Sequence, residues 1–365
     1  MIAGGGTGGH VFPGIALAEA FLAACPGGAV SFVGTESGLE ARAVPARGFP
    51  IDFVPSGQVR GKGAGALRGI ARMTRGFAIA FSVLRRRRPD AVFGVGGYAS
   101  VPVALAAALS GIPLFLQEQN AAPGRANRLL GRAARRVYAG FAGAVPYFPA
   151  GRTVVTGNPV RRDIVAAALS SRGPRAAGAP FTVFAMGGSQ GARSINGIVL
   201  AMARAVRSDG RPMRFILQTG RQEFDAVDAA VRAEGLQVEA FAFSDRIWDV
   251  FPRADAVLMR AGALSVAEAA LFGKPCVLVP YPFAADRHQE RNAEEFCAGG
   301  GGVWMKQEEA TGEKVLEVFS AWAKDASRCA AAAAAAAAFG RPAAADEIVR
   351  SALREAGIGG GSARV

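Results

Sequence analysis

Met1-Ile2-Ala3-Gly4-Gly5-Gly6-Thr7-Gly8-Gly9-His10 opens the chain, and Phe181-Thr182-Val183-Phe184-Ala185-Met186-Gly187-Gly188-Ser189-Gln190-Gly191 repeats its plan halfway along. Each is a short apolar run, then glycines, then a helix-like stretch at about 13–24 or 195–206. A glycine turn between strand and helix lets the backbone come close to a ligand. The helix start adds unpaired N–H groups and a partial positive charge. The first turn is not a P-loop, because no Lys-Ser/Thr pair follows. The repetition is one of architecture, and it implies two doubly wound α/β halves.

Outward from the first turn, apolar strands are expected at 29–33, 51–54, 91–95, 114–116, 136–139 and 153–155. Outward from the second, they are expected at 181–185, 214–218, 238–241, 256–259 and 276–279. Strands separated by helices pair in parallel through βαβ units. Gly157-Asn158-Pro159-Val160 reads as a hinge, which sets the domains at 1–157 and 158–339, with a helix at about 340–357 packing back on the first. The stretch 171–180 is rich in Gly, Pro and Ala and reads as a surface loop, and the alanine run 330–338 as a lightly packed helix. The tail from Gly357 is expected to fray.

The composition is that of a globular chain, 51% hydrophobic and 19% charged, with a net charge of +13 carried mainly by arginine. Such a balance suits an anionic partner, or simply a solvated arginine-rich surface. The four cysteines form no CxxC pair, so neither a disulfide framework nor a zinc site is expected, and a reducing compartment fits. The first residues lack the basic and apolar regions of a signal peptide. The uncharged stretch 91–116 is broken by Gly94, Gly96, Gly97, Pro102, Gly111 and Pro113, and reads as buried α/β core rather than a membrane span.

Four constellations carry chemistry. His10, one of only two histidines, ends the first glycine turn, where a neutral imidazole suits a general base, though a structural histidine fits too. Arg260-Ala261-Gly262-Ala263-Leu264-Ser265-Val266-Ala267-Glu268 leaves a strand, turns at Gly262 and starts a helix. There the amides of Ala263 and Leu264 can face phosphate, and Glu268 can accept from two ribose hydroxyls. Asp286-Arg287-His288-Gln289-Glu290-Arg291-Asn292 follows another strand, at the sheet edge where open α/β folds bind ligands; a charged helix start is the alternative. Finally, Leu67, Ile70, Met73, Phe77, Phe81 and Leu84 recur at helical spacing among Arg68, Arg72, Arg75 and Arg85 to Arg88. That stripe fits a core helix or a helix lying on anionic lipid, and it suits nucleic acid less because no reader motif accompanies it.

In order along the chain, these segments resemble the MurG family of N-acetylglucosaminyltransferases. The resemblance runs through the first turn into Phe12-Pro13, Arg60-Gly61-Lys62-Gly63, Gly96-Gly97-Tyr98, Glu118-Gln119-Asn120 and Gly157-Asn158-Pro159-Val160-Arg161. It continues through Gly187 to Ala192, Arg260 to Glu268, and Asp286-Arg287 with Gln289 and Asn292.

The resemblance implies a GT-B fold, two Rossmann-like domains with parallel sheets facing a central cleft. It implies inverting transfer of GlcNAc from UDP-GlcNAc to lipid I, forming lipid II for the peptidoglycan on which cell shape and division depend. Ser189, Ala263 and Leu264 would meet the pyrophosphate. Arg161 and the backbone at Ile247 would meet uracil, and Glu268 the ribose. Gln289 would meet the GlcNAc hydroxyls, with His288 and Arg260 beside it. Thr7, Gly8, Gly9 and Asn120 would approach the donor sugar from the first domain. Tyr98 and Glu118 would lie on the acceptor side, and His10 would be the base.

No DxD occurs in the sequence, so no metal is expected at the diphosphate and no cofactor beyond the donor. The implied partners are UDP-GlcNAc, lipid I, an anionic membrane met through Leu67, Ile70, Met73 and Phe77, and other cell-wall synthesis proteins. The implied location is the cytoplasmic face of the inner membrane. Three departures stand out. The first strand is short, so the natural start lies upstream on this reading; His288 stands where the family usually has glutamine; and Ala261 replaces a usual serine. The rival readings are a UDP-GlcNAc epimerase of the same fold and a transferase acting on another lipid, such as diacylglycerol.

Overall fold

The computed structural model describes residues 1–55, 64–171, 178–188 and 190–358, with 64–73 described by the backbone alone. Ser189 and the side chains of Leu67, Ile70 and Met73, each assigned a role above, lie outside the described residues. So do 60–63 and most of the 171–180 loop.

The chain divides into two compact units, 1–162 with 342–365, and 163–341. In chain order the first contains β1 (Ile2–Ala3), α1 (Gly8–Ala24), β2 (Phe32–Gly34), α2 (Glu40–Ala43), β3 (Ile51–Phe53), α3 (Ala64–Arg87) and β4 (Val92–Gly94). It continues with α4 (Ser100–Leu109), β5 (Leu114–Glu118), α5 (Arg125–Leu130), β6 (Arg136–Ala139) and β7 (Thr153–Val155). After α6 (Arg162–Ser170), the second unit runs β8 (Phe181–Met186), α7 (Arg193–Asp209), β9 (Met213–Gln218), α8 (Phe224–Ala233), β10 (Val238–Phe241) and β11 (Ala256–Met259). It ends with α9 (Ala263–Leu271), β12 (Cys276–Leu278), α10 (His288–Ala298), β13 (Gly302–Trp304), α11 (Gly312–Lys324) and α12 (Ala326–Phe339). The final helix, α13 (Ala344–Ala356), returns to the first unit.

Both sheets are wholly parallel, ordered β3-β2-β1-β4-β5-β6-β7 and β10-β9-β8-β11-β12-β13. The first strand of each unit therefore sits at the point where strand order reverses. A crevice opens there at the carboxyl ends of the strands, and the glycine turn emerges into it. Apolar strand residues such as Val33, Val92 and Leu116 fill one face of the first sheet against α3 and α4. Ile15, Leu17, Phe115 and Tyr138 fill the other, where Ile348, Val349 and Ala352 of α13 complete the core. In the second unit α7 and α11 bury Met202, Phe319 and Trp322 against β8, β9 and β11.

Two boundaries differ from the sequence reading in ways that matter. Helix α1 starts at Gly8, not near Pro13, because Thr7 O accepts from His10 N at 3.0 Å and Val11 N at 3.1 Å. Glycine-rich sequence reads as loop, and proline favours a first helical turn, so pattern alone delays the start. The consequence is that His10 rides in the first turn of a helix. Strand β5 runs on to Glu118, where apolar periodicity ended it at 116, and all five of its residues are buried.

The helix stripe also needs a correction. Phe77, assigned to the membrane, is half-buried against the first unit's core, alongside buried Ala80, Val83 and Leu84 of α3. Phe81 is 37% exposed. Of the basic run, Arg86 and Arg87 pair with Asp52 at 2.7 and 2.8 Å. No described helix is long and apolar enough to cross a membrane.

Candidate functional site

In the first unit three segments meet at the carboxyl edge of β1, β4 and β5. The first turn and the turn after β4 lie backbone against backbone. Gly5 N donates to Gly96 O at 3.3 Å, and a Cβ on Gly97, whose φ is +81°, would sit 2.2 Å from Gly5 O. Only glycine permits both that φ and that approach. His10 then lies over the end of β4, its Nδ1 3.1 Å from Val95 O and 3.2 Å from Gln119 Oε1. Tyr98 follows the same turn and is 53% exposed. Thr7 and Gly9 are exposed and Gly8 half-buried at the helix start, and Thr7 makes no side-chain cap.

Glu118 is buried, and its oxygens accept from Asn120 N at 2.9 Å and Asn127 Nδ2 at 2.8 Å. Burial pushes its carboxyl above the usual range, against the pull of those amides. Within this unit it acts on Asn120 and Asn127, fixing the loop after β5. Arg161 also belongs to this unit, with its guanidinium 5.0 Å over the Phe12 ring.

Glu40 went unnoticed in the sequence. It is buried, and it accepts from Gly6 N at 2.7 Å and from Thr35 N and Oγ1 at 2.8 and 2.7 Å. A Cβ at Gly5 would lie 2.0 Å from its Oε1, one at Gly38 2.1 Å from its Oε2 and one at Gly34 2.4 Å from its Cγ. The carboxylate is thus the floor on which the first turn rests. Burial alone would raise its pKa, but the Gly6 amide and Thr35 hold it below the ordinary 4.5. A carboxyl with a lowered folded pKa stabilises the fold above its unfolded pKa. That stability is lost as pH falls through the folded value. Glu40→Gln is expected to lower stability at pH 7 by about 2–3 kcal/mol, with the gap narrowing towards pH 3 in denaturant titrations.

In the second unit, β8 feeds Gly187, Gly188 and Gly191 into α7. A Cβ at Gly191, with φ of +76°, would sit 2.1 Å from Thr219 O, so this turn too is locked against a neighbouring strand end. Strand β11 leads to Arg260, whose NH1 donates to Val279 O and Pro280 O, both at 3.1 Å. Its NH2 donates to Ser194 Oγ at 2.8 Å and Gln307 Oε1 at 2.6 Å. Arg260 therefore ties α7, the end of β12 and Gln307 together. It holds the site's shape rather than presenting its terminal N–H groups to a ligand.

Gly262 caps α9 without any side-chain cap, so the amides of the first turn, including Ala263 and Leu264, have no side chain competing for them. Glu268 stands half-buried further along the same helix. Asn292, wholly buried, donates to Ala261 O at 3.0 Å and braces that turn from α10. Asp286 and Arg287 have φ of +50° and +54°, an uncommon conformation for such residues. They bring His288 and Gln289 onto the start of α10. Gln289 Oε1 accepts from Tyr281 N at 2.9 Å, which fixes the orientation of its amide. His288 Nδ1 bonds Ala285 O at 2.7 Å, so Nδ1 carries the proton. Ile247 is half-buried, in a short 3₁₀ turn.

The structure thus gathers Thr7, Gly8, Gly9, His10, Tyr98, Glu118 and Asn120 at the first sheet edge. It gathers Arg260, Ala263, Leu264, Glu268, His288 and Gln289 around the second. Sequence reasoning missed Glu40, Gln117, Asn127 and Ser194, and it named Gln119 and Asn158 within motifs without giving either a role of its own. The available signal was polar residues at two-residue spacing in an otherwise apolar strand, as in Gln117 and Gln119.

Residues 1–139 match the Glycosyltransferase family 28 N-terminal domain and residues 182–348 the Glycosyltransferase family 28 C-terminal domain, which defines the class as a two-domain glycosyltransferase. A Geobacter sulfurreducens protein is 40% identical over 97% of this chain and 99% of its own length, and a Pelobacter propionicus protein 41% identical over 89% and 91%. Both are named UDP-N-acetylglucosamine–N-acetylmuramyl-(pentapeptide) pyrophosphoryl-undecaprenol N-acetylglucosamine transferase. The Acinetobacter baumannii MurG crystal structure is 29% identical with a TM-score of 0.79, covering 97% of this chain and 98% of that one. The chain belongs to the MurG family of these transferases. A Neisseria meningitidis UDP-GlcNAc 2-epimerase shares the fold at a TM-score of 0.67 and 13% identity over 96% and 98% of the two chains.

Proposed function

We infer that this protein transfers N-acetylglucosamine from UDP-GlcNAc to the MurNAc 4-hydroxyl of lipid I, with inversion at the anomeric carbon, to give lipid II. The observation that carries this reading is the match, at about two residues in five over nearly the whole chain, to transferases named for that reaction.

The roles are those the family resemblance implies, and the local geometry of each unit supports them. The diphosphate sits at the start of α9, against the Ala263 and Leu264 amides, with Ser189 assigned to it from the second glycine turn. The helix terminus stabilises the charge that gathers on departing UDP. Glu268 holds the ribose hydroxyls, the backbone at Ile247 holds uracil, and Gln289 and His288 hold the sugar hydroxyls. Arg161, assigned to uracil, has a partner of its own in Phe12. Thr7, Gly8, Gly9 and Asn120, assigned to the donor, and Tyr98 and Glu118, assigned to the acceptor, all lie in the first unit. The acceptor O4 attacks the anomeric carbon as its bond to UDP breaks. The proton passes to His10, and UDP leaves with the electron pair.

On this proposal the helix terminus serves where a metal would otherwise neutralise the diphosphate. Turnover is then expected to survive EDTA, and a loss restored by Mg²⁺ would contradict it. The exposed Phe81, Arg85 and Arg88 at the end of α3 suit peripheral contact with the anionic inner face of the membrane.

The acceptor is tested by offering lipid I analogue and diacylglycerol in parallel. Product on lipid I alone supports the reading, and product on diacylglycerol alone overturns it.

A further inference from the structure

Gln117, Gln119 and Asn158 are 0%, 2% and 4% exposed, and none belongs to the apolar core that surrounds them. They form a chain of amides ending on His10. Asn158 Nδ2 donates to Gln119 O at 2.9 Å, and Asn158 Oδ1 accepts from Gln117 Nε2 at 3.1 Å. Gln117 Oε1 accepts from Gln119 Nε2, which also donates to Val95 O at 2.7 Å. Gln119 Oε1 then faces His10 Nδ1 at 3.2 Å.

Amide orientations are ordinarily a matter of assignment, since oxygen and nitrogen look alike. Here two backbone carbonyls, which can only accept, decide them. Val95 O requires the nitrogen end of Gln119 on its side, which turns Oε1 towards the histidine. Gln119 O requires the nitrogen end of Asn158, which turns Oδ1 towards Gln117. The middle amide has one orientation that satisfies both neighbours.

His10 Nδ1 therefore meets two acceptors, Val95 O at 3.1 Å and Gln119 Oε1 at 3.2 Å, and must carry the ring proton. The lone pair is then on Nε2. Two glycines leave room for the arrangement. A Cβ on Gly96 would sit 2.6 Å from His10 Nδ1, and one on Gly140 2.4 Å from both Asn158 amide atoms.

We propose that Gln119, held in place by Gln117 and Asn158, is a positioning residue that fixes His10 as the Nδ1–H tautomer and so presents Nε2 as the proton acceptor. The proposal rests on the reading of His10 as the base. Every member of the relay is neutral. A carboxylate in its place would favour the imidazolium, which cannot take a proton. Among the described residues, the charged or titratable groups near the relay include Glu118, Glu40, Arg161, Tyr98 and Tyr138, the last buried on β6 beside Gln117 with burial pushing its hydroxyl up to about 12. Glu118 is tied to Asn120 and Asn127 on the other face of β5, Glu40 lies under Gly6, and Arg161 is stacked on Phe12. Tyr98 is on the exposed turn after β4.

The test is a double-mutant cycle on the full-length protein, with UDP-GlcNAc and a lipid I analogue, and UDP binding as the check on folding. Gln119→Met is expected to lower kcat about 10–100-fold in the native background and less than about twofold in the His10→Ala background, because it acts through the ring. Equal losses in both backgrounds would overturn the proposal while leaving His10 as the base. No loss on His10→Ala itself would overturn both. Gln119→Glu keeps the size and the accepting oxygen, and is expected to move the acid limb of the kcat/KM profile up by about one pH unit. An unmoved limb would overturn the relay even where Gln119→Met fails to fold.

Discussion

His10→Ala is expected to lower kcat about 10²–10⁴-fold while the Kd for UDP-GlcNAc stays within about twofold. The size follows from the chemistry. A hydroxyl is a weak nucleophile, and losing the group that accepts its proton removes a stabilisation present only in the transition state. The selectivity follows from the fold. His10 belongs to the first unit, whereas Ala263, Leu264, Glu268 and Gln289, assigned to the nucleotide sugar, belong to the second. Single-turnover kinetics with a lipid I analogue, beside calorimetric titration of the donor, separate the two quantities. Turnover within about threefold of the native rate would remove His10 from the base role.

Glu268→Ala carries the next largest effect, and it falls on binding. A carboxylate accepting from two vicinal hydroxyls makes charge-assisted hydrogen bonds, and at a half-buried position the pair together contributes about 1.5–3 kcal/mol. Their loss is expected to weaken UDP about 10–100-fold, equally with and without the sugar, because the ribose is common to both ligands. Glu268 sits half-buried on α9, the helix whose uncapped first turn meets the phosphates, so one rigid element serves two parts of the nucleotide. An unchanged Kd for UDP would show that the ribose lies elsewhere.

Much of this architecture is legible in the sequence because it rests on glycine and on buried strands. The turn at Gly187 and Gly188, and the turn at Gly262, appear where strand, glycine and helix succeed one another. Strands such as Val238–Phe241 and Ala256–Met259 are bounded by clear punctuation, and the structure gives them the same limits.

What escaped notice is polar and buried. Gln117 and Glu118 ended the apolar pattern and so cut β5 short, although both lie inside the sheet. Glu40 looks like any charged residue at a short helix, and nothing local betrays that its carboxylate supports Gly6 from 34 positions away. Arg260 is assigned to the donor, but the partners that occupy its terminal N–H groups, Ser194 and Gln307, are distant in sequence. The stripe through Phe77 could not be sorted into core or membrane, because an amphipathic helix buries an apolar face in either setting.

The claim that this site transfers a sugar rather than epimerises one is tested most directly by incubating UDP-GlcNAc with the protein, with and without a lipid I analogue. The account predicts UDP release only when the acceptor is present, in step with a β-linked disaccharide product. Conversion of UDP-GlcNAc to its epimer without any acceptor, or UDP release indifferent to it, would contradict the account.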